Sequence, residues 1–387
     1  MKRISLLCFF FFSITLNAQN TTKISLKQGD GIRIMAADSS AFMRLRVWFQ
    51  PMYMVSKPLT DNGKWTSYAG VQRARLNFTG WIHSPKLRYH LQPMMAAPEL
   101  RSGLDATAQQ EGYTGKVLLD AALKWKFHPN FELWVGQERT RGSYEGFLPA
   151  FAMQLVNKSQ FNSMFNYNRD IGFQLLGSYG DKFIIRPQLR WTLGDGRNIV
   201  TNNNGGFQYM ARVEVLPFGK FNEVFNTDFK REPTPKLAIG ATLDFNHNAA
   251  RQKGNAGRFM IDDQGNQFYS NVFTFLADAV FKYQGFSANS AFAVRTVERS
   301  ELGFHEAVGF HLQGGYLLEN NYEFAFRYGI VAPIGRKVAP GSREYLIGVS
   351  KYINGHPLKV QTDIGLIRNT VFQRTVLQYR FQIVAGF

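Results

Sequence analysis

Basic side chains recur two residues apart along this chain: Arg44 and Arg46, Arg73 and Arg75, Lys86 and Arg88, Lys124 and Lys126. On a β-strand that spacing puts both members of a pair on one face. Guanidinium and ammonium groups gathered on one wetted face do not break bonds; they attract anions and replace their hydration with charge-assisted donors. Arg139, Arg141, Lys158 and Arg169 follow within one stretch, and Arg186 and Arg190 lie further on. With Arg44, Arg46, Arg73, Arg75, Arg88 and Lys124, these are the candidates for lining a water-filled passage and binding anions there.

Other chemistry finds little support. There is no Cys pair, no His-Glu-x-x-His and no glycine-rich phosphate loop between a strand and a helix, so no metal and no cofactor is expected. Gly194-Asp-Gly196 carries a single carboxylate, a poor calcium cage, and reads as turn chemistry. His83, His128 and His356 fall in or beside turns, as solvated residues, and His247 and His305 fall in loops. No nucleophile motif accompanies them, and the chain is not expected to be an enzyme.

The elements that would position the cations are strands. Period-two alternation marks sixteen of them, at 42–54, 70–82, 86–94, 117–127, 131–139, 170–179, 182–193, 207–217, 236–246, 271–283, 285–296, 307–317, 321–330, 343–352, 357–367 and 372–387. Tight turns carrying Gly, Pro and Asn, such as Lys126-Phe-His-Pro-Asn130 and Tyr283-Gln-Gly285, alternate with long polar connections at 55–69, 95–116, 140–169, 194–206, 247–270, 297–306 and 331–342. The oversized turn from Pro217 to Pro235 is the exception. Short turns on one side and long loops on the other predict an all-β fold: a transmembrane antiparallel β-barrel of about sixteen strands, with short periplasmic turns and long extracellular loops.

Parity then assigns the faces. Leu87, Tyr89 and Leu91, Leu119, Ala121, Leu123, Trp125 and Phe127, Phe273 through Tyr283 at odd positions, and Leu377 through Phe387 at odd positions are expected to meet lipid. Trp125, Phe127, Phe131, Tyr283, Phe286, Tyr316 and Tyr322 cluster beside short turns, as an interfacial girdle would. The opposite parity adds Lys182, Arg212, Lys236, Lys282, Arg295, Arg327, Lys359, Arg374 and Arg380 to the cations above. It also holds the acids Asp120, Glu132, Glu138, Asp170, Glu214, Asp244, Asp278, Glu323 and Asp363, which they outnumber. An excess of one sign inside a low-dielectric wall raises the local concentration of counter-ions.

The N-terminus reads as a secretory signal over residues 1–18: Met1-Lys-Arg, an apolar run from Ile4 to Leu16, then Asn17-Ala18-Gln19. The run is shorter than the roughly 20 residues that span a bilayer as a helix. A barrel domain is expected over 19–387, without the one cysteine, Cys8. Secretion argues against nucleic acid as the partner of a chain with a formal net charge of +17. Outer-membrane lipid and small anions or small hydrophilic solutes are the expected partners.

The segments Leu119 to Gln137, Asn168-Arg-Asp-Ile-Gly-Phe-Gln174, Gly194 to Asn198, Ala211 to Gly219 and Lys236 to Phe245 together resemble the phosphate-selective outer-membrane porin family, porins O and P and their relatives. The resemblance implies a homotrimer, a third long loop folded into the lumen as a constriction, and passage of phosphate or other oxyanions. The long connection at 140–169, rich in Phe, Asn and Ser, stands where that loop belongs. Two other functions stay open at this point: a plugged structural or adhesive barrel, to which a hairpin over Lys23 to Met35 near the barrel entrance could contribute, and a barrel enzyme.

Overall fold

The computed structural model describes residues 22–60, 63–96, 117–199, 205–261, 264–299, 303–335, 341–370 and 373–387. The expected signal segment at 1–18 lies outside the described residues. The chain forms a closed antiparallel barrel of sixteen strands. In order these are β3 (Ala41–Pro58), β4 (Thr66–Ile82), β5 (Ser84–Pro93), β6 (Leu118–His128), β7 (Phe131–Arg139), β8 (Arg169–Gly177), β9 (Ile184–Thr192), β10 (Gln208–Leu216), β11 (Lys236–Ala249), β12 (Ser270–Tyr283), β13 (Phe286–Val297), β14 (Ala307–Leu317), β15 (Tyr322–Pro333), β16 (Ser342–Asn354), β17 (Leu358–Asn369) and β18 (Arg374–Gly386). Each pairs with its sequence neighbour, and β18 closes on β3 through Val376↔Pro58 to Gly386↔Trp48. Closure leaves no sheet edge within the bilayer, where water is absent and an unpaired N–H costs several kcal/mol.

A hairpin of β1 (Lys23–Lys27) and β2 (Gly31–Met35) precedes the barrel. Strand β2 pairs with Phe42 to Leu45 of β3, below the point where β18 ends, and so extends the sheet at the short-turn end. The tight turns have the local chemistry their sequences promise. Between β12 and β13, Gln284 and Gly285 both take positive φ (47° and 87°), the backbone of a two-residue turn whose twist matches the strands it joins.

Alternation is regular on the outer face. In β12, Phe273 and Tyr283 are exposed while Val272, Thr274, Leu276, Asp278, Val280 and Lys282 are buried. One lipid-face assignment fails: Leu119 is buried at 1% exposure. The β5–β6 register shifts between Gln92 and Pro93, pairing Pro93 with Leu118, and this bulge inverts the parity of the residues before Asp120. Lys182 also departs from expectation, because β9 begins at Ile184 and Lys182 sits exposed in the turn.

The inner face divides into two halves. On β10 to β17 the inward side chains are almost all buried, whereas on β4 most inward residues remain partly accessible. Something fills the lumen on one side, and the other side stays partly open.

Candidate functional site

The filling is done by two segments. The first, residues 140–168 between β7 and β8, holds helix α1 (Tyr144–Phe147), a 3-10 turn (Ala150–Ala152) and helix α2 (Gln160–Phe165). Ser143 and Ser159 cap these helices, each side chain accepting from a backbone N–H three residues on (Gly146 at 3.0 Å, Asn162 at 2.9 Å). Glu145 ties the two halves together by accepting from Ser159 N and Oγ at 2.7 and 2.5 Å.

The segment is fastened to the wall by the acids that parity had placed inward, and by Glu344. Asp278 accepts from Tyr144 N at 2.6 Å, Asp363 from Val156 N at 2.9 Å, Glu344 from Gln160 N at 2.8 Å and Glu323 from the Gln154 amide at 2.7 Å. Four inward cations do the same for carbonyls: Arg212 donates to Gly142 O, Arg295 to Met164 O, Arg327 to Asn157 O and Lys359 to Met153 O. Phe161, Met164, Phe165 and Tyr167 pack on Met210, Leu276, Ala291, Ala293, Ala307 and Val331 of the inner wall. At the far side of the lumen Phe151 stacks on Trp48 of β3, with centroids 3.8 Å apart.

The second segment is the oversized turn at 217–235. It folds up into the barrel instead of lying across its rim: Phe221 packs with Tyr144, Ile184, Leu216, Ala238 and Val280, and Phe225 packs against Leu148, Ala152 and Met153. Lys282 donates to Asn222 O and Thr227 O at 2.8 and 2.9 Å, and Thr227 donates to Glu323 at 2.9 Å. His356, expected to be solvated, is therefore buried at 3% exposure, its ring edge-on to Phe225 and Phe229. A four-residue rhythm of Phe221, Phe225 and Phe229 was the available signal for this packing.

What remains open is a narrow space of about 380 Å³ between this filling and the wall of β4, β7 and β8. Arg73, Arg75, Arg139, Lys158 and Arg169 line it, together with the amides of Gln72, Asn157, Asn166 and Asn168. Among the described residues, no carboxylate lines it. Hydrogen bonds hold these cations in place: Arg73 donates to Gln50 at 3.1 Å and Asn157 at 3.0 Å, Arg139 to Phe147 O at 2.8 Å, and Lys158 to Gly146 O at 2.6 Å. Arg169 forks onto Asp120 from outside the space, at 2.7 and 3.0 Å. Burial, reinforced by Arg139, Arg169 and Arg73 and opposed by Glu145, pushes the Lys158 ammonium well below the ordinary lysine range. These five charges therefore crowd one another.

On the short-turn side a wider cavity of about 780 Å³ follows, lined by Lys86, Arg88, Lys126, Arg141 and Arg186, with Glu132 and Glu223. Arg88 pairs with Glu132 at 2.5 Å. The other candidates stand apart from the narrow space. Arg44 and Arg46 lie nearer the hairpin, on Asp30 and Asn77, both at 3.0 Å. Lys124 pairs with Glu138 at 2.7 Å and lies 3.7 Å above the Trp134 ring. Arg190 is buried beside Gln208. His90, Asp120 and Glu138 bring ligand atoms within 4.8 Å of one another, but Arg169 and Lys124 already neutralise both carboxylates, and the trio acts as an ion-pair network.

No family model matches this chain, and no curated protein sequence matches it either. Solved structures do. An anion-selective porin from Comamonas acidovorans superposes with a TM-score of 0.56 at 10% identity, covering 89% of this chain and 100% of that one. The outer membrane channel DcaP of Acinetobacter baumannii gives 0.52 at 10% identity, covering 90% and 98%. In-vitro folded OmpT of Vibrio cholerae, in a trimer form, gives 0.52 at 11% identity, covering 89% and 99%. The fold is a porin's barrel. With its apolar outer belt it places the protein in the outer membrane of a Gram-negative bacterium.

Proposed function

We propose that this protein is a passive outer-membrane porin whose narrowest part favours small anions, phosphate or other oxyanions among them, and also passes small hydrophilic solutes. The observation that carries this reading is the convergence of Arg73, Arg75, Arg139, Lys158 and Arg169 on one narrow space with amides, and no carboxylate among the described residues, on its lining. A permeating anion there exchanges water for guanidinium, ammonium and amide donors, whereas a cation meets net repulsion. Residues 140–168 act as the constriction in this reading, and 1–18 as a cleaved signal. A homotrimer belongs to the same proposal, supported by the trimer form of one structural neighbour. Two lumenal histidines are packing groups, His311 on Phe161 and His356 between Phe225 and Phe229, and a third, His90, is held by Glu138 within an ion-pair network, which favours a channel over an enzyme.

The test is the reversal potential of purified full-length protein in planar bilayers under a salt gradient, with chloride, phosphate and sulfate in turn. Stepwise openings with an anion-directed potential are expected. A silent or cation-selective protein would refute the reading, and silence would favour a plugged barrel. Cross-linking in detergent, with a ladder ending at three chains, checks the assembly.

A further inference from the structure

Arg141 and Arg186 face the wider cavity on the short-turn side, and their acidic partner there comes from an unexpected place. Glu223, on the inward-folded segment 217–235, puts Oε1 2.6 Å from Arg186 and 4.0 Å from Arg141. Glu214 Oε2 lies 3.8 Å from each of the two arginines and accepts no hydrogen bond, while its other oxygen accepts from Arg212 at 3.0 Å. Arg212 is held in turn by Asp278 at 2.8 Å. Three guanidinium groups thus face three carboxylates, and the cluster is neutral only while Glu223 stays in it. Glu214 and Asp278 are fixed on strands β10 and β12, so Glu223 is the one acid of the group carried by a connecting segment.

We infer that Arg141 and Arg186 form a second anion station on the periplasmic side of the passage, fitted to small carboxylates, and that Glu223 is its built-in competitor. The inference rests on the anion-passage reading above. A glutamate carboxylate sits on the guanidinium groups where a solute carboxylate would sit, so the site's geometry is that of its own occupant. With Glu223 displaced, Arg141 and Arg186 face only Glu214, and the local charge favours one more anion. With Glu223 returning, that anion is expelled, which keeps the station from trapping what the narrow space lets through.

Full-length protein and Glu223→Gln are compared in planar bilayers bathed in potassium chloride or potassium acetate. Removing the competitor is expected to raise the acetate-to-potassium permeability ratio about threefold and to make conductance saturate at lower acetate concentration. Adding Arg186→Gln to Glu223→Gln returns the ratio to the wild-type value or below. Glu223→Asp, which keeps the charge and withdraws the carboxylate by one methylene, shifts the ratio in the same direction by less, and carries the test if the glutamine variant fails to fold. A wild-type protein without anion preference would sink the proposed function whatever the variants do. An anion-selective wild type whose Glu223 variants match it in ratio and saturation would overturn the station alone. Equal effects in chloride and acetate would overturn its carboxylate class.

Discussion

Replacing Lys158 by glutamine removes one positive charge from the narrow space at nearly constant side-chain length. A permeating ion there passes within about 4 Å of the ammonium group, where two unit charges interact by about 1 kcal/mol in bulk water and about 4 kcal/mol at a near-surface dielectric. Taking the water-like figure as the floor, the anion loses and the cation gains about 1 kcal/mol each, so the anion-to-cation permeability ratio falls about thirtyfold, since about 1.4 kcal/mol is tenfold. The measurement is the reversal potential in a tenfold potassium chloride gradient at pH 6. A pH series adds an independent readout. Burial and the neighbouring arginines depress the Lys158 pKa, so rising pH neutralises it before an ordinary lysine would titrate. Wild-type anion preference therefore declines as pH rises, with a midpoint below the usual lysine value, and Lys158→Gln is flat over the same window. Lys351→Gln, the same charge change beside Asn320 in a short turn, leaves the ratio within twofold of wild type. A Lys158→Gln channel within twofold of wild type at pH 6, together with a flat wild-type profile, would refute the claim that this space selects.

Gly309→Val tests the fastening of the 140–168 segment, because a Cβ there would meet Phe165 at 2.5 Å and Phe161 at 3.0 Å. It should cost about 1–3 kcal/mol by overpacking, push α2 off the wall into the passage, and lower single-channel conductance. Thr227→Val withdraws a hydrogen bond from buried Glu323, a loss of about 1–3 kcal/mol. The loosened 217–235 segment then shows as increased open-channel current noise. Ile347→Arg, on the outer face of β16 at 64% exposure, should destabilise the barrel by about 2–4 kcal/mol if the residue is at the bilayer midplane, read as a lower urea midpoint in lipid vesicles.

Much of the barrel was legible in advance because period-two patterning is a local property. Segment 307–317 reproduces β14 to the residue, and 236–246 and 343–352 fall within β11 and β16. The extra hairpin at Lys23 to Met35 was legible for the same reason, with Gly29-Asp30 in its turn. Leu119 was misread because a bulge shifts parity without any residue type announcing it. Arg73, Arg75, Arg139, Lys158 and Arg169 were all among the candidates, but Arg44, Arg46 and Arg190 looked equivalent to them, and Lys86 and Lys126 were read only as wall cations.

By itself the sequence determined the all-β class, the strand count, the alternation of short and long connections, and the sign of the charge on the inner wall. Each follows from a residue's own chemistry and its neighbours one or two positions away. Tertiary structure decided where the passage runs. The acids counted against the inner cations turn out to accept hydrogen bonds from the inward-folded segment 140–168: Asp278 from Tyr144 N, Asp363 from Val156 N, and Glu323 from the Gln154 side chain. Lys359 and Arg295 are likewise spent on its carbonyls. Such pairings join residues more than a hundred positions apart, and no local pattern encodes them. Only when both inward segments have settled against β10 to β17 do Arg73, Arg75, Arg139, Lys158 and Arg169 come together on the opposite side.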